Sequence, residues 1–244
     1  MIDRYAFHSL SYGVYLITSV DKNGKKVGCV ANTFMQLTSE PLQVSVTLNK
    51  QNATTQAIRE SGRFSATVLD ETASMKLIGT FGFRSSHDYD KFEEHEHVLD
   101  EAQVPYVVQH SIARFSMKVV EEVDVKSHVV FIGEVEEAEQ LNEGKPMTYA
   151  YYHQVKGGKT PPKASAFNPE AAVNAEVQQE INDLETIIAE EVAEAIEEGM
   201  GEEGKNYAWE CLICGYVANV DELPDDFVCP VCGATKKDFI KIEV

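Results

Sequence analysis

Four of the five cysteines in this 244-residue chain lie within its last forty residues, in two pairs of the same spacing. Cys211 and Cys214 form the first Cys-x-x-Cys pair, Cys229 and Cys232 form the second, and fourteen residues separate the pairs. Each pair lets two sulfurs point at one ion, and an all-sulfur tetrahedral site selects iron or zinc over harder cations. The sequence therefore predicts a four-cysteine metal site, and the spacing alone leaves the choice between iron and zinc open.

The residues around the cysteines resemble rubredoxin, in the shortened form that is found fused to other redox domains. The resemblance covers roughly residues 205–244 and rests on the run Leu223-Pro-Asp-Asp-Phe-Val-Cys229-Pro-Val-Cys232-Gly and on the aromatic residues Trp209, Tyr216, Phe227 and Phe239. It implies one iron in a Fe(Cys)4 centre, which exchanges one electron at a time. The alternative is a structural zinc ribbon, which shares the cysteine turns.

The composition limits the partners and the compartment of the chain. A formal net charge of −19 argues against nucleic acid and anionic membranes as partners, and 43% hydrophobic residues fit a globular protein. The first twenty residues lack the pattern of a signal peptide, and no apolar run approaches membrane-spanning length. Cysteines in metal-binding spacing also indicate a reducing compartment, so we expect a cytoplasmic protein.

A change in charge separates the cysteine-rich end from the rest of the chain. Residues 164–204 include no Lys or Arg but twelve Asp and Glu residues. Apolar residues recur there at steps of three and four from Val173 to Ala195, which is typical of an amphipathic helix that packs on a neighbour or serves as a solvated spacer. We expect a first domain over residues 1–160, an acidic helical linker over 161–204 and the rubredoxin-like domain over 205–244.

Residues 1–160 carry the patterns of a mainly β domain. Period-two alternation and short apolar runs predict six strands, and Asn23-Gly24 between the first two is a strong hairpin signal. The predicted strands are Gly13–Val20, Lys26–Met35, Leu42–Leu48, Phe64–Leu69, Ala113–Glu122 and Val129–Glu137, and the predicted helices are Asn52–Ser61 and Ser74–Thr80. Because so many strands need covered edges, we expect a closed or split β-barrel with small helices.

Three polar runs in this domain have side chains suited to a phosphate or a ring edge. The first, Asn32 to Ser39, is dense in hydroxyls and amides. The second, Asn49 to Thr55, places Lys50 at a predicted helix N-terminus, where free N–H groups and the helix dipole stabilise a phosphate. The third contains the guanidinium of Arg84 beside Ser85. Each run alone is also typical of capping and turn chemistry.

In their order and residue types these runs resemble the flavin reductase-like family of FMN-binding split barrels, which includes the flavoredoxins. The match spans roughly residues 1–160 and includes Ser9-Leu-Ser-Tyr-Gly-Val-Tyr-Leu-Ile-Thr18, Ala31-Asn-Thr-Phe34 and Thr54-x-x-Ala57-Ile58-x-x-Ser61-Gly62-x-Phe64. The resemblance implies a bound FMN. It also implies a donor, NADH or NADPH, that docks on the flavin, since the chain has no Gly-x-Gly-x-x-Gly run.

The resemblance further implies which residues contact FMN. Asn32, Thr33 and Thr38 would contact the isoalloxazine and phosphate ends, and Asn49, Lys50, Thr54, Arg84 and Ser85 would hold the phosphate and ribityl side. Family members often have Ser-Gly where this chain has Ser85-Ser86. His153 ends the run Tyr149-Ala-Tyr-Tyr-His153, which matches a family segment that approaches the flavin face, so it is a candidate catalytic residue or a structural one.

Together the two resemblances imply an electron-transfer protein. We expect electrons to pass from NAD(P)H through FMN to the iron centre and on to a separate acceptor. Chains of this combination, the high-molecular-weight rubredoxins, supply flavodiiron proteins that reduce oxygen or nitric oxide in anaerobes. The barrels of the family are homodimers, and the resemblance implies the same assembly here.

Three other interpretations stay open at this point. The chain could be a flavin reductase that releases reduced FMN to a partner enzyme. It could be a non-catalytic module, in which a zinc ribbon docks a partner and the barrel only stores flavin. Reduced ferredoxin could also replace NAD(P)H as the electron source.

Overall fold

The structure, a computed structural model, describes residues 2–169, 207–211, 214–220 and 222–243. It confirms a mainly β protein with small helices. The predicted linker helix between Val173 and Ala195 lies outside the described residues. Within the described ranges no helix is long and apolar enough to span a membrane.

The first domain is built on one large antiparallel sheet. The strands of this domain are β1 Tyr15–Val20, β2 Lys26–Ala31, β3 Phe34–Ser39, β4 Leu42–Asn49, β5 Arg63–Leu69, β6 His97–Leu99, β7 Pro105–Val107, β8 Ser111–Val125 and β9 His128–Gln140. Seven of them form the sheet in the order β2-β1-β5-β8-β9-β4-β3, and β6 pairs with β7 in a separate ribbon. All six predicted strands are present.

The predicted hairpin between β1 and β2 is confirmed. Gly24 has a φ of +81°, which glycine adopts without steric cost. The carboxylate of Asp21 accepts hydrogen bonds from the backbone N–H groups of Asn23 (2.8 Å) and Lys25 (2.9 Å). This turn fixes the register that pairs Val20 with Lys26.

The sheet curls so that its two edges share one core. Cys29 of β2 and Phe34 of β3, at opposite edges, pack in the same buried cluster as Phe131 of β9. Removing this apolar surface from water is the main stabilising term of such a domain. The curl brings the end of β2, where Asn32 lies, towards the end of β4, where Asn49 lies.

Three short α-helices cover the sheet, and each begins at a capping side chain. They are α1 Ala53–Ser61, α2 Met75–Phe83 and α3 Tyr149–Gln154. The side-chain oxygens of Asn52, Ser74 and Thr148 accept backbone N–H bonds from the first turns of these helices. α1 and α2 confirm the two predicted helices, whereas α3 was not predicted.

The C-terminal domain is a small three-stranded sheet with the cysteine turns at its end. Its strands are β10 Tyr207–Cys211, β11 Val217–Ala218 and β12 Phe239–Glu243, in the order β11-β10-β12. Leu223, Val231 and Phe239 form the apolar core together with the buried cysteines. The rings of Phe227 and Phe239 meet edge to face, with their centroids 5.3 Å apart.

Besides α3, two parts of the fold differ from the sequence prediction. The strand predicted over Lys26–Met35 ends at Ala31, and a new strand, β3, starts at Phe34 after the Asn32-Thr33 bend. The polar character of β3 hid it, because only Phe34 of that strand is buried. The ribbon of β6 and β7 was missed because three-residue strands are too short to show a period.

A buried lysine ties the loop after α2 to the sheet. Lys91 is only 2% exposed, and its Nζ donates to the carbonyl oxygens of Gly28 in β2 (2.7 Å) and Phe81 in α2 (3.0 Å). Burial lowers the pKa of Lys91 to about 8. The positions of α2 and of the loop that follows it therefore depend on this side chain.

We expect the free energy of unfolding of the wild type to rise relative to that of Lys91→Met between about pH 8 and 9.5. Across this window the unfolded lysine keeps its proton and the folded one loses it, so the unfolded state binds more protons and stability increases with pH. The expected gain is at most about 2 kcal/mol. Urea denaturation of both proteins measures it.

Lys22→Met is the matched control, because the Lys22 side chain is 70% exposed. Its stability should run parallel to that of the wild type over the same pH range. If the difference between the wild type and Lys91→Met stays constant with pH, Lys91 does not titrate from a buried position.

Candidate functional site

The four cysteines of the C-terminal domain converge on one point. Their sulfur atoms all lie within 4.8 Å of one another, and all four side chains are buried. Cys211 and Cys232 have their sulfurs 3.5 Å apart, as do Cys214 and Cys229. One thiolate from each side chain can therefore reach a single ion.

Two tight turns, here called the cysteine knuckles (residues 211 and 214–216 in the first, 229–234 in the second), produce this convergence. In the first, Gly215 N–H donates to the Cys211 carbonyl, and in the second Gly233 N–H donates to the Cys229 carbonyl, both at 2.8 Å. Both glycines have a φ of +71°, a conformation that side chains disfavour. The glycine after each cysteine pair is thus a requirement of the knuckle.

The electrostatics of the cluster favour a metal ion. Hydrogen bonding to Cys214 lowers the pKa of Cys232 to about 5, and the same contact raises the pKa of Cys214. Without a cation the cluster therefore shares its protons, because like charges this close cannot all form. A thiophilic cation displaces those protons, and the all-sulfur donor set fits iron.

A strip of polar groups lies where β2 and β4 end. The hydroxyl of Ser165 donates to Oδ1 of Asn32 (3.1 Å), and Nδ2 of Asn49 donates to the carbonyl of Lys163 (3.2 Å). The segment 163–165, which follows the barrel, therefore crosses both predicted flavin contacts. The structure brings Asn32 and Asn49 together at this strip.

The side-chain amide of Asn32 has an unused hydrogen-bond donor at the strip. It is 8% exposed, and its Nδ2 has no hydrogen-bond partner among the residues that the structure describes. Burying an unpaired amide is costly, so such a group points to a ligand. Ser165 beside it also lines a cavity of about 960 Å³, whose walls include Tyr149, His153 and Thr160. The donor and the aromatic walls fit a flavin.

His153 lies in a hydrogen-bonded chain on the wall of this cavity. Its Nδ1 contacts the carbonyl of Gly158 (2.6 Å), its Nε2 lies 3.2 Å from the hydroxyl of Thr160, and that hydroxyl lies 2.5 Å from the hydroxyl of Tyr149. Burial lowers the pKa of His153. The ring is therefore neutral near pH 7, with Nδ1 as donor to the carbonyl and Nε2 as acceptor from Thr160.

Three of the other predicted FMN contacts have partners within the protein. Thr33 donates to the Thr47 carbonyl (2.9 Å), Lys50 pairs with Asp124 (2.5 Å), and Ser85 accepts from the His87 N–H (3.2 Å). Thr54 is fully buried, and its Oγ1 has no hydrogen-bond partner among the residues that the structure describes. Thr38 donates to the Pro41 carbonyl in the exposed turn between β3 and β4. Thr38, five residues along the chain from Thr33, is therefore not part of the strip.

Arg84 lies against the C-terminal domain. Its Nε donates to the Cys232 carbonyl, and its guanidinium stacks on Tyr89, 4.1 Å from the ring centroid. The side chain predicted to hold a phosphate therefore contacts a cysteine knuckle in this structure.

Sequence reasoning missed the residues that follow the barrel. Thr160, Lys163 and Ser165 complete the strip and the cavity wall, yet they belong to a stretch that has no strand or helix pattern. The signal available was Pro161-Pro162, since proline favours the second position of a turn, and the Ala164 N–H closes such a turn on the Pro161 carbonyl (2.9 Å).

Comparison with known families identifies both domains. The flavin reductase like domain matches residues 7–158, and the rubrerythrin, rubredoxin-like domain matches residues 209–240. The two matches lie on either side of the segment that the structure does not describe.

Two curated relatives cover most of the chain or of its first domain. A high molecular weight rubredoxin of Moorella thermoacetica is 35% identical over 256 residues, covering 99% of this chain and all of that protein. A ferric-chelate reductase (NAD(P)H) of Archaeoglobus fulgidus is 46% identical over 166 residues, covering 68% of this chain and 98% of that protein.

Solved structures share the fold of the first domain. A homologue of nitrilotriacetate monooxygenase component B from Mycobacterium thermoresistibile has a TM-score of 0.54 and 27% identity, covering 59% of this chain and 79% of that one. A flavoredoxin from Methanosarcina acetivorans has a TM-score of 0.50 and 24% identity, covering 56% and 74%. The second likeness concerns the fold alone.

A β-barrel with a flavin-sized cavity and a four-thiolate centre define a two-domain redox protein. The chain belongs to the flavin reductase-like family and carries a C-terminal rubredoxin domain. It is an oxidoreductase with a flavin, a nicotinamide donor and iron held by Cys211, Cys214, Cys229 and Cys232.

We expect Cys229→Ser to bind iron at least about tenfold more weakly than the wild type, since even loss of an outer-shell partner costs that much. The ferric-thiolate absorption should fall with it. Cys29→Ala is the matched control, because Cys29 is also buried but lies in β2. Elemental analysis and visible spectra of both proteins measure the effect. Equal iron content in the two variants would contradict the site.

Proposed function

We propose that this protein passes electrons from NAD(P)H through FMN to its own Fe(Cys)4 centre and then to a separate protein. The observation that supports this most directly is the contact between the two redox domains, with Arg84 of the first on Cys232 of the second. When bound, FMN takes up the two electrons of a hydride and can release them singly, and the iron centre takes one at a time.

The strip and the cavity are the proposed FMN site. Asn32 offers its free Nδ2 to the ring, and Asn49 holds the other end of the strip at the N-terminus of α1. His153 is the proposed residue beside the ring. Its Nε2 accepts from the Thr160 hydroxyl, so His153 can take up a proton that is relayed through Tyr149 and Thr160 from that side of the cavity.

The proposed domain bounds are those predicted from the sequence. They are residues 1–160 for the flavin domain, 161–204 for the acidic linker and 205–244 for the rubredoxin domain. The family matches at 7–158 and 209–240 support the outer two. The proposed compartment is the cytoplasm, where free thiols such as the five found here stay reduced.

The partners are proposed from the relatives and from one exposed surface. The relative named ferric-chelate reductase (NAD(P)H) supports NAD(P)H as the electron donor. The relative named high molecular weight rubredoxin supports a separate protein as the electron acceptor, and we propose a flavodiiron protein for this role. Met35, Leu37 and Leu42 expose apolar side chains on the β3–β4 hairpin. Such a patch favours self-association, so we propose a homodimer.

Anaerobic stopped-flow mixing with NADH tests the proposed path. In the wild type, loss of flavin absorbance should be followed on a catalytic timescale by loss of the ferric-thiolate bands. Cys229→Ser should keep the first phase and lose the second. A flavin that is reduced while a loaded iron centre stays ferric would contradict the path and favour release of reduced FMN to a partner.

Asn32→Leu tests the proposed flavin contact. The substitution keeps the shape of the side chain but removes Nδ2, together with the Oδ1 that accepts from Ser165, so we expect FMN affinity to fall about tenfold, the effect of losing about 1.4 kcal/mol. Asn23→Ala, in the exposed hairpin turn, should bind FMN as the wild type does. Fluorescence titration of flavin-free protein with FMN compares them. Equal affinities of all three proteins would remove Asn32 from the site.

A further inference from the structure

The second cysteine knuckle touches the middle of α2. A Cβ added to Gly79 would lie 1.2 Å from the carbonyl oxygen of Val231 and 3.1 Å from the backbone nitrogen of Cys232. Gly79 is buried, although it lies on a helix at the edge of its own domain. The backbone of the knuckle therefore occupies the space that any other residue at this position would fill.

Arg84 extends the same contact beyond the end of α2. Its Nε donates to the Cys232 carbonyl, and a Cβ added to Gly233 would lie 1.4 Å from its Nη2. The guanidinium therefore packs closely against Gly233, in the space that a side chain at this position would fill. The guanidinium also stacks on Tyr89, a contact within the first domain that helps to fix its orientation.

The first cysteine knuckle faces the same domain. Nζ of Lys159 lies 2.2 Å from where a Cβ of Gly215 would be, and 3.7 Å from a carboxylate oxygen of Glu210. Met75 and Phe83, at the two ends of α2, pack against the apolar core of the C-terminal domain. Both knuckles, and so the metal-bearing face, are turned towards the flavin domain.

We propose that Met75, Gly79, Phe83, Arg84 and Lys159 form a docking seat for the metal-bearing face of the rubredoxin domain, and that the iron receives its electron there. The proposal that the iron receives its electron at the seat rests on the proposed function. Four thiolates leave a Fe(Cys)4 centre with a net negative charge, which the cations Arg84 and Lys159 offset. Apolar contacts and a glycine without a side chain supply the close fit.

The step at the seat is a single electron transfer. The reduced flavin loses one electron and the ferric ion gains it, and no bond to a cysteine forms or breaks. Arg84 acts through the Cys232 carbonyl and is a positioning residue. Because the seat covers the knuckles, an outside acceptor that needs this face must compete with α2 for it.

Gly79→Ala tests the seat, with Gly82→Ala as the matched control on the same helix. Alanine favours a helix over glycine, so neither change should unfold α2. A Cβ at Gly79 collides with the knuckle backbone, whereas one at Gly82 meets only Val30 at 3.7 Å, an ordinary contact. Any difference between the two variants therefore reports the knuckle contact.

The first readout does not depend on redox activity. In zinc-loaded protein, hydrogen exchange of the peptide 229–234 should speed up about tenfold in Gly79→Ala, the effect of losing about 1.4 kcal/mol of docking free energy, and stay unchanged in Gly82→Ala. Unchanged exchange in Gly79→Ala would show that the seat is empty in solution. Equal acceleration in both variants would show a helix effect and would also overturn the seat.

The second readout is the iron phase after mixing the iron-loaded proteins with NADH. It should slow about tenfold in Gly79→Ala, while the flavin phase of that variant and both phases of Gly82→Ala match the wild type. Faster exchange with an unchanged iron phase would overturn electron entry at the seat. Loss of the iron phase in the wild type itself would instead defeat the proposed function and leave the exchange result standing.

Discussion

Four thiolate sulfurs can lie within 4.8 Å of one another only around a cation, and much of this structure depends on that requirement. The C-terminal domain has a very small apolar core, so metal binding must supply most of its folding free energy. The backbone atoms that contact the first domain, the Val231 and Cys232 carbonyls, belong to the knuckle that the metal holds in place. The metal therefore also shapes the surface by which the two domains meet.

The first domain carries the proposed flavin site and, separately, the surface that contacts the cysteine knuckle. The curl of the sheet brings Asn32 and Asn49 to one strip, beside a cavity walled by Tyr149 and His153. α2 and the loop after it present Gly79 and Arg84 to the cysteine knuckle, and the buried Lys91 fixes that loop on β2. A single barrel thus carries the proposed flavin cavity and also contacts the four-cysteine centre, an arrangement suited to the proposed separation of the two electrons of a hydride.

Much of the fold and the whole metal site were predictable from sequence, because they depend on local signals. Cysteine spacing, the Asn23-Gly24 turn and period-two runs each determine structure within a few residues. β3 was missed because only Phe34 in it is buried, so no alternation shows. The contact of Arg84 with the cysteine knuckle was also not predictable from the sequence. Its partner carbonyl lies 148 residues away, and only the docking of the two domains brings them together.

Anaerobic titration of the flavin- and iron-loaded protein with NADH tests the central claim most directly. A hydride carries two electrons and the iron centre takes one, so one FMN and one iron per chain require about 1.5 NADH for full bleaching. Cys229→Ser, without its iron, should require about one NADH. An endpoint of about one NADH for the loaded wild type, with the iron still ferric, would contradict the account.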